Sequence, residues 1–302
     1  MAWRKIGRIF VPSGELDWSL THAALPVPEW VDGDIFRIYF SSRDDKNRSS
    51  IGCVIVDLAS GGKVLDIPPE PVLRPGRLGM FDDCGVSMGS ILRMGDVRFL
   101  YYVGWNLTVT VPWKNTIGLA ISKSGGPFER YSAFPIIALD EHDPYSISYP
   151  WIIQDEDKYR MWYGSNLCWK EDVRNMDEIP HVIKYAESTN GIDWVKRDGV
   201  AVDAIGCNNT ASCRPCVVRD PGLYRMWFSA RGIRYRIYCA VSEDGIAWRQ
   251  VGKDEGIDVS PGSWDADMIE YPCIFDHGGQ RFMLYSGDGY GRTGFGLAVL
   301  DD

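Results

Sequence analysis

A unit of about sixty residues recurs along this chain, and that period limits the folds open to it more than any other feature. Its clearest mark is a turn, seen in Ser188-Thr-Asn-Gly-Ile-Asp-Trp194 and Ser242-Glu-Asp-Gly-Ile-Ala-Trp248. Ser122-Lys-Ser-Gly-Gly-Pro-Phe128 is a third copy, and Asp57-Leu-Ala-Ser-Gly-Gly-Lys63 a degenerate fourth. Each follows an apolar, strand-like run. An Asp-Gly or Asn-Gly pair supplies the positive φ angles of a tight hairpin, and the aromatic residue opens the returning strand. Upstream lies a segment ending in aromatic and then small residues: Arg37-Ile-Tyr-Phe-Ser-Ser42, Phe99-Leu-Tyr-Tyr-Val-Gly104, Tyr159-Arg-Met-Trp-Tyr-Gly164, Tyr224-Arg-Met-Trp-Phe-Ser229 and Arg281-Phe-Met-Leu-Tyr-Ser286. A third shared segment is centred on Ala24, Gly89, Pro150, Pro215 and Pro272, at intervals of 65, 61, 65 and 57 residues.

Each unit thus offers about four strands, and five such units fill the 302 residues as one domain. Four-stranded units set around an axis are the blades of a β-propeller, which protects its sheet edges by radial packing. The fifth unit stops at Gly296-Leu-Ala-Val-Leu-Asp-Asp302 without a fourth strand, and Trp3-Arg-Lys-Ile-Gly7 at the other end resembles the missing piece. The expected fold is therefore all-β: a five-bladed propeller of four antiparallel strands per blade, with the N-terminal strand completing the last blade. A β-sandwich would account for neither the period nor the displaced strand. The 12 Trp, 15 Tyr and 32 Gly suit short twisted strands with tight turns, and equally suit surfaces that stack on sugar rings.

Charge and hydropathy remove several function classes. Net charge is −9 with no basic block, which argues against a nucleic-acid partner. No apolar run approaches the ~20 residues that span a bilayer, so no membrane partner is expected. Basic residues at the N-terminus lead into no apolar stretch, so no secretory signal is read and the cytoplasm is the expected compartment. Of eight cysteines, Cys53, Cys216, Cys239 and Cys273 sit inside strand-like apolar runs, where a free thiol behaves as a small hydrophobe. Cys213-Arg-Pro-Cys216 has CxxC spacing but no second pair and no His at ligand spacing, so neither metal nor cofactor is expected.

Repetition also separates scaffold from site. Asp17, Asp82, Asp143, Asn208 and Asp265 stand seven residues before each centre and recur in every unit, which points to a loop-capping role. Three other rows differ from unit to unit: His22, Ser87, Ser148, Cys213 and Glu270; Ala23, Met88, Tyr149, Arg214 and Tyr271; and Arg43, Trp105, Asn166, Arg231 and Asp288. In a propeller these rows open the innermost strand and close the next, so they should rim one central funnel. Asp44, Asp83, Asp267, Arg234 and Arg292 lie close by in sequence. Several guanidinium groups converging in one funnel need an anion or carboxylate between them, such as a phosphate or a sugar acid. Trp105, Trp113 and Trp169 are candidates to stack on a ring or to pack their own loops. Glu270 is open to two readings: a direct role with substrate, or a structural pair with Arg214 and Arg231.

The repeat, with its aromatic-Ser/Gly strand ends and Ser-x-Asp-Gly-x-x-Trp turns, resembles the five-bladed propeller glycosidases: the arabinanase, xylosidase, invertase and mannoside-phosphorylase families. The resemblance spans the whole chain and implies carbohydrate chemistry at the central funnel, with a carboxylate base on an inner strand and a Glu as acid. It implies a base Asp on the innermost strand of the first blade, where Leu20-Thr-His-Ala-Ala-Leu-Pro26 carries none. Its acid Glu two residues before a Pro is matched by Glu270-Tyr271-Pro272, in the fifth blade. The expected catalytic set is Glu270 as acid with Asp83 or Asp288 as base, hydrolytic, phosphorolytic or transferring. The expected binding residues are His22, Arg43, Asp44, Trp105, Tyr149, Asn166, Arg214, Arg231 and Tyr271, on a small carbohydrate or sugar phosphate. A non-catalytic carbohydrate-binding propeller is the alternative, and it predicts similar pockets in every blade.

Overall fold

The computed structural model describes residues 2–170, 179–202, 210–252 and 256–301. These form twenty strands and one short helical turn at Asp288–Gly291. After β1 (Ala2–Phe10) come β2 (Thr21–Asp32), β3 (Ile35–Arg43), β4 (Ser49–Asp57) and β5 (Lys63–Asp66). The next unit is β6 (Gly85–Met94), β7 (Val97–Leu107), β8 (Trp113–Lys123) and β9 (Glu129–Arg130). It is followed by β10 (Ile147–Asp155), β11 (Lys158–Asn166), β12 (His181–Ser188) and β13 (Val195–Lys196). Then come β14 (Ala211–Asp220), β15 (Leu223–Arg231), β16 (Tyr235–Ser242) and β17 (Arg249–Gln250), and finally β18 (Glu270–His277), β19 (Gln280–Ser286) and β20 (Phe295–Asp301).

Within each group neighbouring strands pair antiparallel in chain order. Single parallel pairs, Ser49 with Gly85 and His181 with Ala211, join the groups two by two into eight-stranded sheets. The remaining sheet has the order β1-β20-β19-β18, so the N-terminal strand takes the outer place held by β5, β9, β13 and β17 elsewhere.

The second strand of each group is a short continuous apolar run because both its faces are covered. Phe40, Tyr101, Tyr102, Trp162, Tyr163, Trp227 and Tyr285 on these strands are all but inaccessible to solvent. The recurring aspartates tie these strands down. Asp82, Asp143 and Asp265 are buried, and each accepts a hydrogen bond from an aromatic-strand tyrosine: Tyr102 at 3.1 Å, Tyr163 at 2.9 Å and Tyr285 at 3.1 Å. Each also meets a cation from the outer strand, Arg130 at 2.8 Å, Lys196 at 2.9 Å and Lys5 at 2.5 Å. Lys5 does on β1 what Arg130 does on β9, which is the chemical counterpart of the displaced strand. Asp17 departs from the pattern: it is exposed, lies 3.6 Å from Arg74, and its aromatic counterpart Phe40 has no hydroxyl to donate. Asn208 lies outside the described residues.

The Asx-Gly turns lock neighbouring groups together. Gly191 and Gly245 adopt φ of +73° and +75°, with their N–H groups donating to Ser188 and Ser242 hydroxyls at 2.9 Å. Their carbonyls accept bonds from the preceding group, from the Tyr101 hydroxyl at 2.8 Å and the Trp162 indole at 2.9 Å.

Candidate functional site

Every innermost strand opens with a register slip: between Thr21 and Ala24, Met88 and Ser90, Ser148 and Trp151, Cys213 and Cys216, and Glu270 and Cys273. Such bulges re-aim side chains. Tyr149, Arg214 and Tyr271 sit at equivalent bulge positions with φ of +54°, +52° and +58°, and His22 has +63°. A left-handed non-glycine residue costs roughly 1–2 kcal/mol, so the surroundings must hold it. Pro150, Pro215 and Pro272 follow the first three directly and disfavour the right-handed helical alternative. Hydroxyls of the preceding group supply further restraint: Met88 N–H donates to Ser41 at 2.7 Å and Tyr271 N–H to Ser229 at 2.8 Å. The same brace links the last group to the first, from Leu25 N–H to Ser286 at 3.3 Å.

These strand openings surround a cavity of about 370 Å³. Of the expected binding residues, His22, Arg43, Trp105, Tyr149, Asn166, Arg231 and Tyr271 line it together, as does Trp113. A further row was missed from the sequence: Ser49, His181 and Tyr235, which open the third strand of their groups, and Asn115, two residues into its own, also line the cavity. Each lies directly across a hairpin from a residue that was expected, Arg43 opposite Ser49, Trp105 opposite Asn115, Asn166 opposite His181, and Arg231 opposite Tyr235. Hairpin pairing of the aromatic strand with its successor is the signal that would have found them.

The remaining expected residues are not in the lining. Asp44 closes its own loop, accepting from the Lys46 and Arg48 N–H groups at 2.9 and 2.8 Å and pairing with the Arg48 guanidinium. Asp83 accepts from Gly79 N–H at 2.8 Å and Asn106 Nδ2 at 2.6 Å, beside a separate open cleft bordered by Met80, Phe81 and Phe134. Although burial raises the Asp83 pKa, these donors hold it below the usual carboxylate value. Asp288 caps the approach to β18, accepting from Asp267 and Met268 N–H at 2.9 and 2.8 Å. Arg214 is fully buried, donating to the Gly89 carbonyl at 2.6 Å and lying 5.6 Å over the Trp151 ring. Asp44, Asp83, Asp288 and Arg214 are thus absent from the cavity lining that Arg43 and Arg231 share.

Glu270 has no solvent exposure and is not in the cavity lining, and neither carboxyl oxygen has a hydrogen-bond partner within 3.5 Å among the described residues, although the Tyr271 hydroxyl bears on it. Burial pushes its pKa well above the ordinary value, against the pull of the neighbouring Tyr271 hydroxyl and Arg231 guanidinium. His22 is lowered to about 4 by burial and then by Arg43 and Arg292. His181 is also lowered to about 4, by burial and Arg231 against two backbone carbonyls. Both imidazoles are thus neutral near pH 7, and among the described residues no carboxylate lines the cavity. The described residues contain no group of three or more His, Cys, Asp or Glu placed to hold a metal ion.

Comparison with known proteins adds the following. No family model matches the chain. It is 74% identical over all 302 residues, and over the full length of each relative, to two Mycobacterium tuberculosis proteins, "Uncharacterized protein MT1551" of strain CDC 1551 / Oshkosh and "Uncharacterized protein Rv1502" of strain ATCC 25618 / H37Rv. Among solved structures it is similar to BT0996 in an RGII complex, with a TM-score of 0.77 and 16% identity over 99% of this chain and 91% of that one. An endo-arabinase from Bacteroides thetaiotaomicron superposes with a TM-score of 0.68 at 14% identity, over 97% and 98% of the two chains. The Bombyx mori GH32 beta-fructofuranosidase BmSUC1 gives 0.61 at 14% identity, over 93% of this chain and 61% of that one. At such identities the likeness establishes the fold, which is that of the β-propeller glycoside hydrolases.

Proposed function

The chain belongs to one family with the two mycobacterial proteins, and from its propeller-glycosidase fold we propose that it is a carbohydrate-active enzyme acting on a glycoside in the cavity. In this reading the repeated groups are five blades of one domain closing around that cavity. The observation that carries the proposal is Glu270. A fully buried carboxyl with no hydrogen-bond partner among the described residues is costly to hold in a fold, and a carboxyl perturbed in that way is a candidate for a chemical role.

Held protonated, Glu270 is a general acid of the kind a glycosidic leaving group needs. Glu270 is not in the cavity lining; the neighbouring Tyr271 side chain is, and once its hydroxyl closes to hydrogen-bond distance of the Glu270 carboxyl it relays the proton. His22 takes the place of the base on the first inner strand. With its pKa lowered to about 4, its imidazole holds a proton about as weakly as an aspartate carboxylate, near 3.9. A water or phosphate oxygen would attack the anomeric carbon as His22 takes its proton, while the glycosidic C–O bond breaks and the leaving oxygen gains the proton drawn from Glu270. Direct displacement of this kind inverts the anomeric centre.

Incubation with a panel of aryl glycosides and oligosaccharides, with and without inorganic phosphate, tests this. Turnover that Glu270→Gln abolishes without loss of fold supports the acid role, and sugar phosphate released only with phosphate present identifies phosphorolysis. Full activity in Glu270→Gln rejects it. The second reading, a non-catalytic carbohydrate-binding propeller, draws support from the absence of a carboxylate in the described lining. It is identified by saturable sugar binding in calorimetry with no turnover of any substrate.

A further inference from the structure

Arg214 stands on β14, an innermost strand that packs against two others, β10 and β18. Its side chain gathers residues from several of these strands. Nη1 donates to the Gly89 carbonyl of β6 at 2.6 Å, and the guanidinium lies 5.6 Å over the Trp151 ring of β10. The Cys273 thiol and Tyr271 hydroxyl of β18 bear on it electrostatically, as do Cys216 of its own strand and Tyr149 of β10. Arg214 has no solvent exposure, and its Nε and Nη2 have no hydrogen-bond partner among the described residues. Ser90, the residue after Gly89, is 1% exposed, and its hydroxyl has none among them either. Ser90 holds the same repeat position as Trp151, Cys216 and Cys273, which all surround the guanidinium.

Most buried ionisable groups escape their charge by gaining or losing a proton. A guanidinium, with a pKa above about 12, does not, so its charge stays and calls for an anion. The groups that bear on Arg214 are thiols and phenols, which are neutral near pH 7. Glu270, next to Tyr271 in sequence, is held protonated by its own burial and supplies no charge. Two donors on one edge of a guanidinium, beside a hydroxyl and soft sulfur atoms, suit a small acceptor of single charge. They are too few for the four oxygens of phosphate or sulfate. We propose that one chloride ion sits on the Nε–Nη2 edge of Arg214, shared with the Ser90 hydroxyl, and ties together the innermost strands that meet there. Arg214 is not in the cavity lining, so the site stands apart from the sugar reading and needs no sugar.

The test is urea unfolding of the whole protein at neutral pH, in sodium chloride or sodium gluconate at matched ionic strength. Because unfolding releases the ion, the unfolding equilibrium constant should fall about tenfold for each tenfold rise in chloride above its dissociation constant. Gluconate should have no such effect. Arg214→Met, neutral and of similar length, should abolish the chloride dependence whatever its own stability. Crystals of the natural protein grown in sodium bromide should show an anomalous peak on the Nε–Nη2 edge, a measurement that does not need the variant to fold. Identical unfolding in chloride and gluconate overturns the proposal, as does a chloride dependence that survives in Arg214→Met. No bromide peak at that edge overturns it too. A peak there with no chloride effect on unfolding marks an adventitious ion only, and equally overturns it.

Discussion

Glu270→Gln should change how stability depends on pH, in a direction set by burial, which outweighs the opposing pull of Tyr271 and Arg231. The side chains have nearly the same shape, so the variant removes the titration and little else. A carboxyl whose folded pKa is raised keeps its proton in the fold after the unfolded chain has released it. Its stabilising contribution is fully present below about pH 4.5, the ordinary value, and is lost as pH rises towards the folded value. Each pH unit in that window is worth about 1.4 kcal/mol for one proton. Relative to the glutamine variant, the natural protein should lose stability as pH rises above about 4.5, and the loss should level off at the folded value. His22 and His181 titrate equally in both proteins and cancel. Denaturant unfolding of both at half-unit pH steps gives the difference directly, and a bend in it reads the folded pKa of Glu270. Parallel stability curves would mean that Glu270 titrates as an ordinary carboxylate, and the proton donor assigned here would not exist.

Three further outcomes follow from the geometry. Arg214→Ala empties a fully buried site and should cost about 3 kcal/mol in chemical unfolding, yet leave anionic-sugar affinity unchanged because Arg214 is not in the lining. Gly85→Ala would put a methyl carbon 2.4 Å from both the Ser49 hydroxyl and the Trp105 indole nitrogen. It should shift tryptophan emission and weaken sugar binding about tenfold or more in fluorescence titration, against no change if Trp105 does not face the ligand. His181→Gln should soften acid unfolding. Between about pH 6.5 and pH 4 the unfolded chain binds a proton that the buried imidazole refuses, so stability falls as pH drops, by about 1.4 kcal/mol per unit for this residue. Equal acid limbs for variant and parent would place His181 in solvent.

Much of this protein is written in its sequence, because strands and turns are local. The Asx-Gly turn at Gly245 needs only its own positive φ and the Ser242 hydroxyl three residues away. Even the outer place of the N-terminal strand is legible, since the last unit lacks the strand that Trp3-Arg-Lys-Ile-Gly7 supplies. The rim rows could likewise be read, because repeat position fixes which residues open and close a strand; seven of the expected binding residues share one cavity for that reason.

What the period could not settle was direction and depth. Arg214 and Tyr271 occupy the same repeat position with nearly the same φ, yet one is sealed against Gly89 and Trp151 while the other lines the cavity. Asp83 is adjacent in sequence to a scaffold aspartate, but Gly79 and Asn106 draw it to another face. His181 was invisible until β11 and β12 paired and set it opposite Asn166. Such outcomes depend on which atoms from distant segments fill the space around a side chain, and on the water they exclude. A sequence states the order of residues along one line; desolvation and unmet hydrogen bonds are properties of a volume, and only the packed chain has one.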